Sequence, residues 1–168
     1  MYMSPPWRRF RRKLNLEKYL GELAVLIGRP VHADELGDLE QVLELQEAAK
    51  KFVEQPLRTC EILFSERCSE QFNEFVERLH NANPSPVQIW TPRTIDCGIF
   101  IVPSIAAIRF DFEFTVNEDG LLIFSTTDSR DRLLLDFSEA PTGEQVMKIE
   151  TQGIHWLAVP YNQPSSLE

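Results

Sequence analysis

The chain is poor in the residues and strings that carry chemistry. Its three histidines, His32, His80 and His155, stand far apart and outside any HxH, HExxH or CxxC context, so no metal-ligand spacing is present and no metal is expected. No GxxxxGK[ST], GxGxxG or GxSxG string occurs, and nucleotide binding or a nucleophile elbow of those types is not supported. Three cysteines, Cys60, Cys68 and Cys97, are an odd number without a disulfide framework. In a chain of 168 residues they read as reduced thiols, which points to the cytoplasm. No window of about 18 residues is apolar and uncharged, so no membrane-spanning helix is predicted. A secretory signal is not expected either, because Glu17, Lys18 and Glu22 interrupt the apolar segment that follows the basic start.

Cations are scarce and unevenly placed. The chain holds 17 Lys/Arg against 26 Asp/Glu, and five of those cations fall in residues 1–13, which contain no acid. The remaining 155 residues carry 12 Lys/Arg against 26 Asp/Glu, a net charge of −14. Such a body repels nucleic-acid phosphates and favours a basic protein partner. Neither a nucleic acid nor a membrane is expected as partner. Within the basic start, Trp7, Phe10 and Leu14 are spaced to share one side of a helix. That side can meet a membrane surface or a nucleic acid, or pack inward; inward packing is the expectation.

What is present is a run of helices followed by a run of strands. Leu16, Tyr19, Leu20, Leu23 and Ile27 keep helical spacing until Gly28-Arg29-Pro30 stops it. Asp38-Leu39-Glu40-Gln41 has the Asp-x-x-Gln capping pattern and starts a second helix that ends before Pro56. The short linker predicts that these two helices pair antiparallel. A strand at Leu57 to Phe64 precedes a third helix, started by Ser65 or Ser69, with Phe72, Phe75, Val76 and Leu79 inward. After the Asn81 to Pro86 loop the chain reads as strands: 87–90, 95–102, 108–116, 121–124 and 132–137, then a closing hairpin of 146–151 and 154–159. The predicted fold is α+β, a single domain with about three N-terminal helices on a mainly antiparallel sheet of about six to seven strands. Residues 1–83 form a mainly helical half and 87–160 an antiparallel β half. At this length roughly 70% of the unfolded surface can be buried.

The pattern with the sharpest alternation is Ile108 to Val116. Ile108, Phe110, Phe112, Phe114 and Val116 point one way, and Arg109, Asp111, Glu113 and Thr115 the other. Asn117-Glu118-Asp119-Gly120 then predicts a hairpin turn, with Leu121 to Phe124 returning alongside. If Val116 pairs with Leu121, Ile123 and Ser125 join the Phe face, whereas Leu122 and Phe124 join the charged one. That second face is then an apolar patch rimmed by acids, the pattern of a protein-binding surface.

Catalytic readings are weak beside this one. Asp111 and Glu113, about 6.5–7 Å apart along a strand, have the separation of a glycosidase pair, but also of any two acids on a solvated strand face. A Cys97–His155 dyad needs an activated thiol, and an apolar strand does not supply one. The expected binding residues are therefore Asp111, Glu113, Leu122, Phe124, Asp128 and Asp131, in a protein that is not an enzyme and needs no cofactor.

In size, acidity, helical-then-antiparallel layout and lack of catalytic strings, the whole chain resembles bacterial immunity proteins of the contact-dependent inhibition and polymorphic-toxin type. The resemblance is one of general character and transfers no residue from any family. It implies one cognate partner, a basic toxin domain such as a nuclease, neutralised when an acidic surface covers it. The alternative is an acidic chaperone or adaptor for a secreted or basic client.

Overall fold

A computed structural model of the protein describes residues 6–112 and 120–162. The first half folds where periodicity predicts. Helix α1 (Pro6–Ile27) buries Tyr19, Leu23 and Leu26 on one side. It ends at Gly28, whose φ of +73° suits the left-handed cap and whose N–H donates to the Ala24 carbonyl at 2.8 Å. Helix α2 (Leu39–Ala49) starts at Asp38, whose carboxylate accepts from the Gln41 N–H at 2.8 Å. It runs into a 3-10 turn, Lys50–Phe52. Helix α3 (Glu70–Ala82) is capped by Ser69, which accepts from the Phe72 N–H at 3.1 Å, and it buries the four residues expected.

Among the described residues the strands form one six-stranded antiparallel sheet. They are β1 (Leu57–Leu63), β2 (Val87–Trp90), β3 (Phe100–Val102), β4 (Leu121–Thr126), β5 (Asp131–Glu139) and β6 (Gln145–Gly153), in the spatial order β1-β6-β5-β4-β2-β3. The fold is α+β, as predicted. Strand β1 leaves the helical half to pair with β6 at one edge, and one hydrophobic core takes residues from both halves.

Four local expectations are corrected. Residues 95–102 are not one strand: Thr94–Cys97 is a single helical turn, α4, and only Phe100–Val102 is extended. The Thr91 N–H donates to the Thr94 hydroxyl, and the Arg93 N–H to that of Thr91, so side-chain oxygens claim the backbone groups a strand would use. Helices α1 and α2 each pack chiefly against α4 instead of pairing with one another. Residues 154–159 do not return as a strand. They form the 3-10 turn Trp156–Ala158, because the Trp156 indole is buried and donates to the Leu79 carbonyl at 3.0 Å.

The fourth correction concerns the long hairpin. Ile108, Phe110 and Phe112 are buried while Arg109 and Asp111 are exposed, so the alternation is real. Yet residues 108–112 join no ladder, because β4 is paired by β5 on one edge and by β2 on the other. The segment instead lies over the sheet face: the Phe110 ring meets Phe72 of α3 at 5.1 Å and Phe124 of β4 at 5.7 Å. Residues 113–119, the rest of the predicted strand and its turn, lie outside the described residues. Gly120 has the positive φ, +54°, expected at the turn's end.

Directly paired residues of an antiparallel sheet share a face. Ile89, Phe124, Leu133 and Thr151 therefore lie in one row of the inner face, beside the row of Leu122, Leu135 and Ile149. The outer face carries Trp90, Ile123, Leu134 and Glu150 in one row and Leu121, Asp136, Lys148 and Glu61 in the next. Helix α3 and the 105–112 segment belong to the inner face; α2 and its 3-10 extension cover part of the outer one.

Candidate functional site

The structure does not gather the five expected binding residues that it describes into one patch. Leu122 and Phe124 are 2% and 0% exposed and belong to the core. They join the Phe110 side, the reverse of the predicted assignment, because 108–112 stacks on β4 instead of pairing beside it. Asp131, expected at the surface, is 0% exposed. Its carboxylate accepts from the N–H groups of His155 (2.7 Å) and Trp156 (2.8 Å) and from Asn83 Nδ2 (2.7 Å), and faces His155 Nδ1 at 2.9 Å.

Asp128 organises the β4–β5 turn. Burial pushes its carboxyl pKa up, but hydrogen bonds from Thr126, the Arg130 N–H, Asn83 and Ser85 outweigh this and hold it below the ordinary range. Asp111 is exposed and opens onto a groove between α3 and the 106–111 segment, shared with His80 and Glu77. Glu113 lies outside the described residues.

An apolar recess lies on the opposite face of β4, one residue step from the predicted side chains. Between α2 and the outer sheet face lies a recess of about 800 Å³, walled by Leu43, Trp90, Ile95, Leu121 and Ile123. Its size and apolar walls are those of a binding site. Arg132 stands at its side in a fixed pose. Gln152 gives both amide protons to the carbonyls of Phe52 (2.8 Å) and Gln55 (3.1 Å), which turns its oxygen toward the guanidinium. The guanidinium also lies over the Phe52 ring, 5.0 Å from its centre. Burial lowers the Arg132 pKa, with Glu150 opposing. The charges that line the recess are mixed, Glu47 with Lys50 and Arg132, and further acids stand along the same outer face. Glu47 lines it and pairs with Lys50 at 2.6 Å; Asp136 stands opposite Leu121; Glu150 stands opposite Leu134 and pairs with Lys148 at 2.9 Å. Sequence reading missed the recess because α2 supplies one wall, and its docking side is not encoded in any strand. The available signal was that Leu121 and Ile123 alternate with Leu122 and Phe124, which makes β4 apolar on both faces.

The thiol and imidazole weighed as a dyad are held in different networks. Cys97 closes α4 beside Asp96, and its surroundings include Arg12, Arg93 and Glu22; the His155 ring is oriented by Asp131. Burial, then Asp96, pushes the Cys97 thiol up to about 11, so it is protonated near neutral pH and a poor nucleophile. Cys97 is therefore expected to resist a thiol reagent until the protein unfolds, whereas the exposed Cys68 reacts first. The raised value also fixes a sign. The unfolded chain loses the thiol proton near 9 and the folded protein near 11, so this contribution to stability is full below pH 9 and declines between pH 9 and 11. Denaturation across that window checks it: Cys97→Ala should flatten the decline, although Tyr19, raised by burial, keeps a further alkaline loss.

Compared with protein-family models, curated proteins and solved structures, the chain matches none.

Proposed function

We propose that this is a non-enzymatic binding protein whose partner is a basic protein, received on the outer sheet face. The observation that carries the reading is an apolar recess of about 800 Å³ on an outer sheet face that also carries Glu61, Asp136 and Glu150, on a body of net charge −14. An apolar side chain of the partner enters between Trp90 and Ile123, and cations around it meet the carboxylates of the outer face. The apolar centre supplies affinity, and the charges supply encounter rate and rejection of wrong partners. Among acidic binders of this size and layout, the class the chain resembles is the toxin-immunity protein. The partner would then be a basic toxin domain, covered and silenced in a one-to-one complex.

The test is capture from the native host, identification of the partner by mass spectrometry, and titration of the purified pair. Wild type should bind tightly and lose affinity as salt rises. Asp136→Lys with Glu61→Lys, both on the outer face and outside the core, should weaken binding at least about tenfold, mainly through slower association. Binding and salt dependence that stay unchanged would show that this face is not the interface.

A further inference from the structure

The basic start of α1 does not pack as expected. Trp7, Phe10 and Leu14 are 54%, 64% and 64% exposed, whereas the buried side of the same helix is built from Tyr19, Leu23 and Leu26. The three exposed residues follow one another at three and four positions, so they form one continuous stripe on the side away from the body. Helical spacing sets Arg11 and Lys18 along one border of the stripe and Lys13 along the other, with Glu17 the one acid beside it. Arg8 and Arg11 lie 5.3 and 5.5 Å from the Trp7 ring centre.

The helix also works against its own dipole. Its first turn holds no acid, and its N-terminal half carries five cations at the positive pole. An external negative surface would cover the apolar stripe and offset the exposed cations that border it, Arg11, Lys13 and Lys18.

We propose that the N-terminal half of α1 is a membrane-surface helix that lies along an anionic lipid leaflet, with Trp7, Phe10 and Leu14 entering the headgroup boundary. One observation favours lipid over nucleic acid: the stripe is apolar along its length, with Leu14 offering nothing for a base to stack on. Aromatic residues beside cations are the composition of helices that rest in the interface plane. Each Lys or Arg near such a surface strengthens binding by about fivefold, falling with salt. The inference is independent of the recess, because it uses the opposite end of the molecule's charge pattern and different residues.

The full chain should sediment with phosphatidylcholine vesicles that contain phosphatidylserine, and stay in solution with vesicles of phosphatidylcholine alone. Raised salt should release it. Trp7→Ser with Phe10→Ser should abolish sedimentation while leaving the circular dichroism and melting temperature unchanged, since neither side chain is buried. Arg11→Glu with Lys13→Glu should do the same through charge. The proposal fails if wild type does not sediment, or sediments equally with both vesicles. It fails equally if an oligonucleotide, and not the vesicles, is bound through Arg11 and Lys13. Self-association lost in the Trp7/Phe10 variant without vesicle binding would overturn it in favour of a second copy of the chain.

Discussion

Asp131→Ala is expected to lower the free energy of unfolding by about 3–5 kcal/mol, the cost of breaking a buried charged network. The carboxylate is fully buried at the start of β5 and receives donors from three directions. It holds the N–H groups of His155 and Trp156, where the chain leaves β6, and Asn83, which follows α3. Alanine removes the acceptor, leaving the Trp156 N–H buried without it and the Asn83 amide with only its longer bond to Asp128 at 3.3 Å. For a chain of this length the melting temperature should fall by about 10 °C or more. Asn83→Ala should cost less, about 1–2 kcal/mol, since Asp131 keeps its other donors. Urea titration of both variants measures this directly. A loss under about 1 kcal/mol for Asp131→Ala would mean that the C-terminal turn is held by Trp156 packing alone.

The same residue shows what sequence reading can and cannot deliver. Asp131 sits in a polar run, Thr127 to Asp131, which reads correctly as a turn. Nothing local distinguishes it from Asp128 three residues earlier, although one is buried and the other partly exposed. The difference comes from Asn83, His155 and Trp156, which lie 48, 24 and 25 positions away. The helices were legible because their signals are local: Asp38 and Ser69 as caps, Gly28 as a stop, and the four inward residues of α3. The alternation of Ile108, Phe110 and Phe112 was legible too, but alternation states which side chains go inward, not what the backbone pairs with. An extended segment laid across a sheet has the same signature as a strand within it. That ambiguity exchanged the two faces of β4: Leu122 and Phe124 point into the core, and Leu121 and Ile123 point outward, since one register step exchanges the two faces. The Trp7, Phe10, Leu14 stripe failed in the opposite sense. Its spacing predicted one shared side, correctly, but periodicity does not say whether that side finds a core.

Gly98→Ala is expected to destabilise by about 3 kcal/mol or more, and Gly21→Ala to stabilise by about 0.5–1 kcal/mol. Gly98 stands where four elements meet. It ends α4 with a φ of +112°, a conformation that a residue with a Cβ adopts only under strain. Its carbonyl accepts the Tyr19 hydroxyl of α1 at 2.7 Å, and the next residue, Ile99, accepts the Gly37 N–H at 2.8 Å just before α2. A Cβ at Gly98 would be driven into the Gly37 carbonyl, a backbone atom that cannot rotate away. The alanine variant must therefore either strain β3 or release the segment leading into α2, and the second outcome opens the recess as well. Gly21 is the control: it is exposed within α1, and an added Cβ meets nothing within 4 Å. Only helix propensity changes there, so its effect has the opposite sign. Thermal unfolding of the two variants beside wild type separates the readings. If Gly98→Ala melts with wild type, α1, α2 and β3 do not depend on this joint. In that case the wall that α2 gives the recess would have to be held by the Gln152 bonds to Phe52 and Gln55 alone.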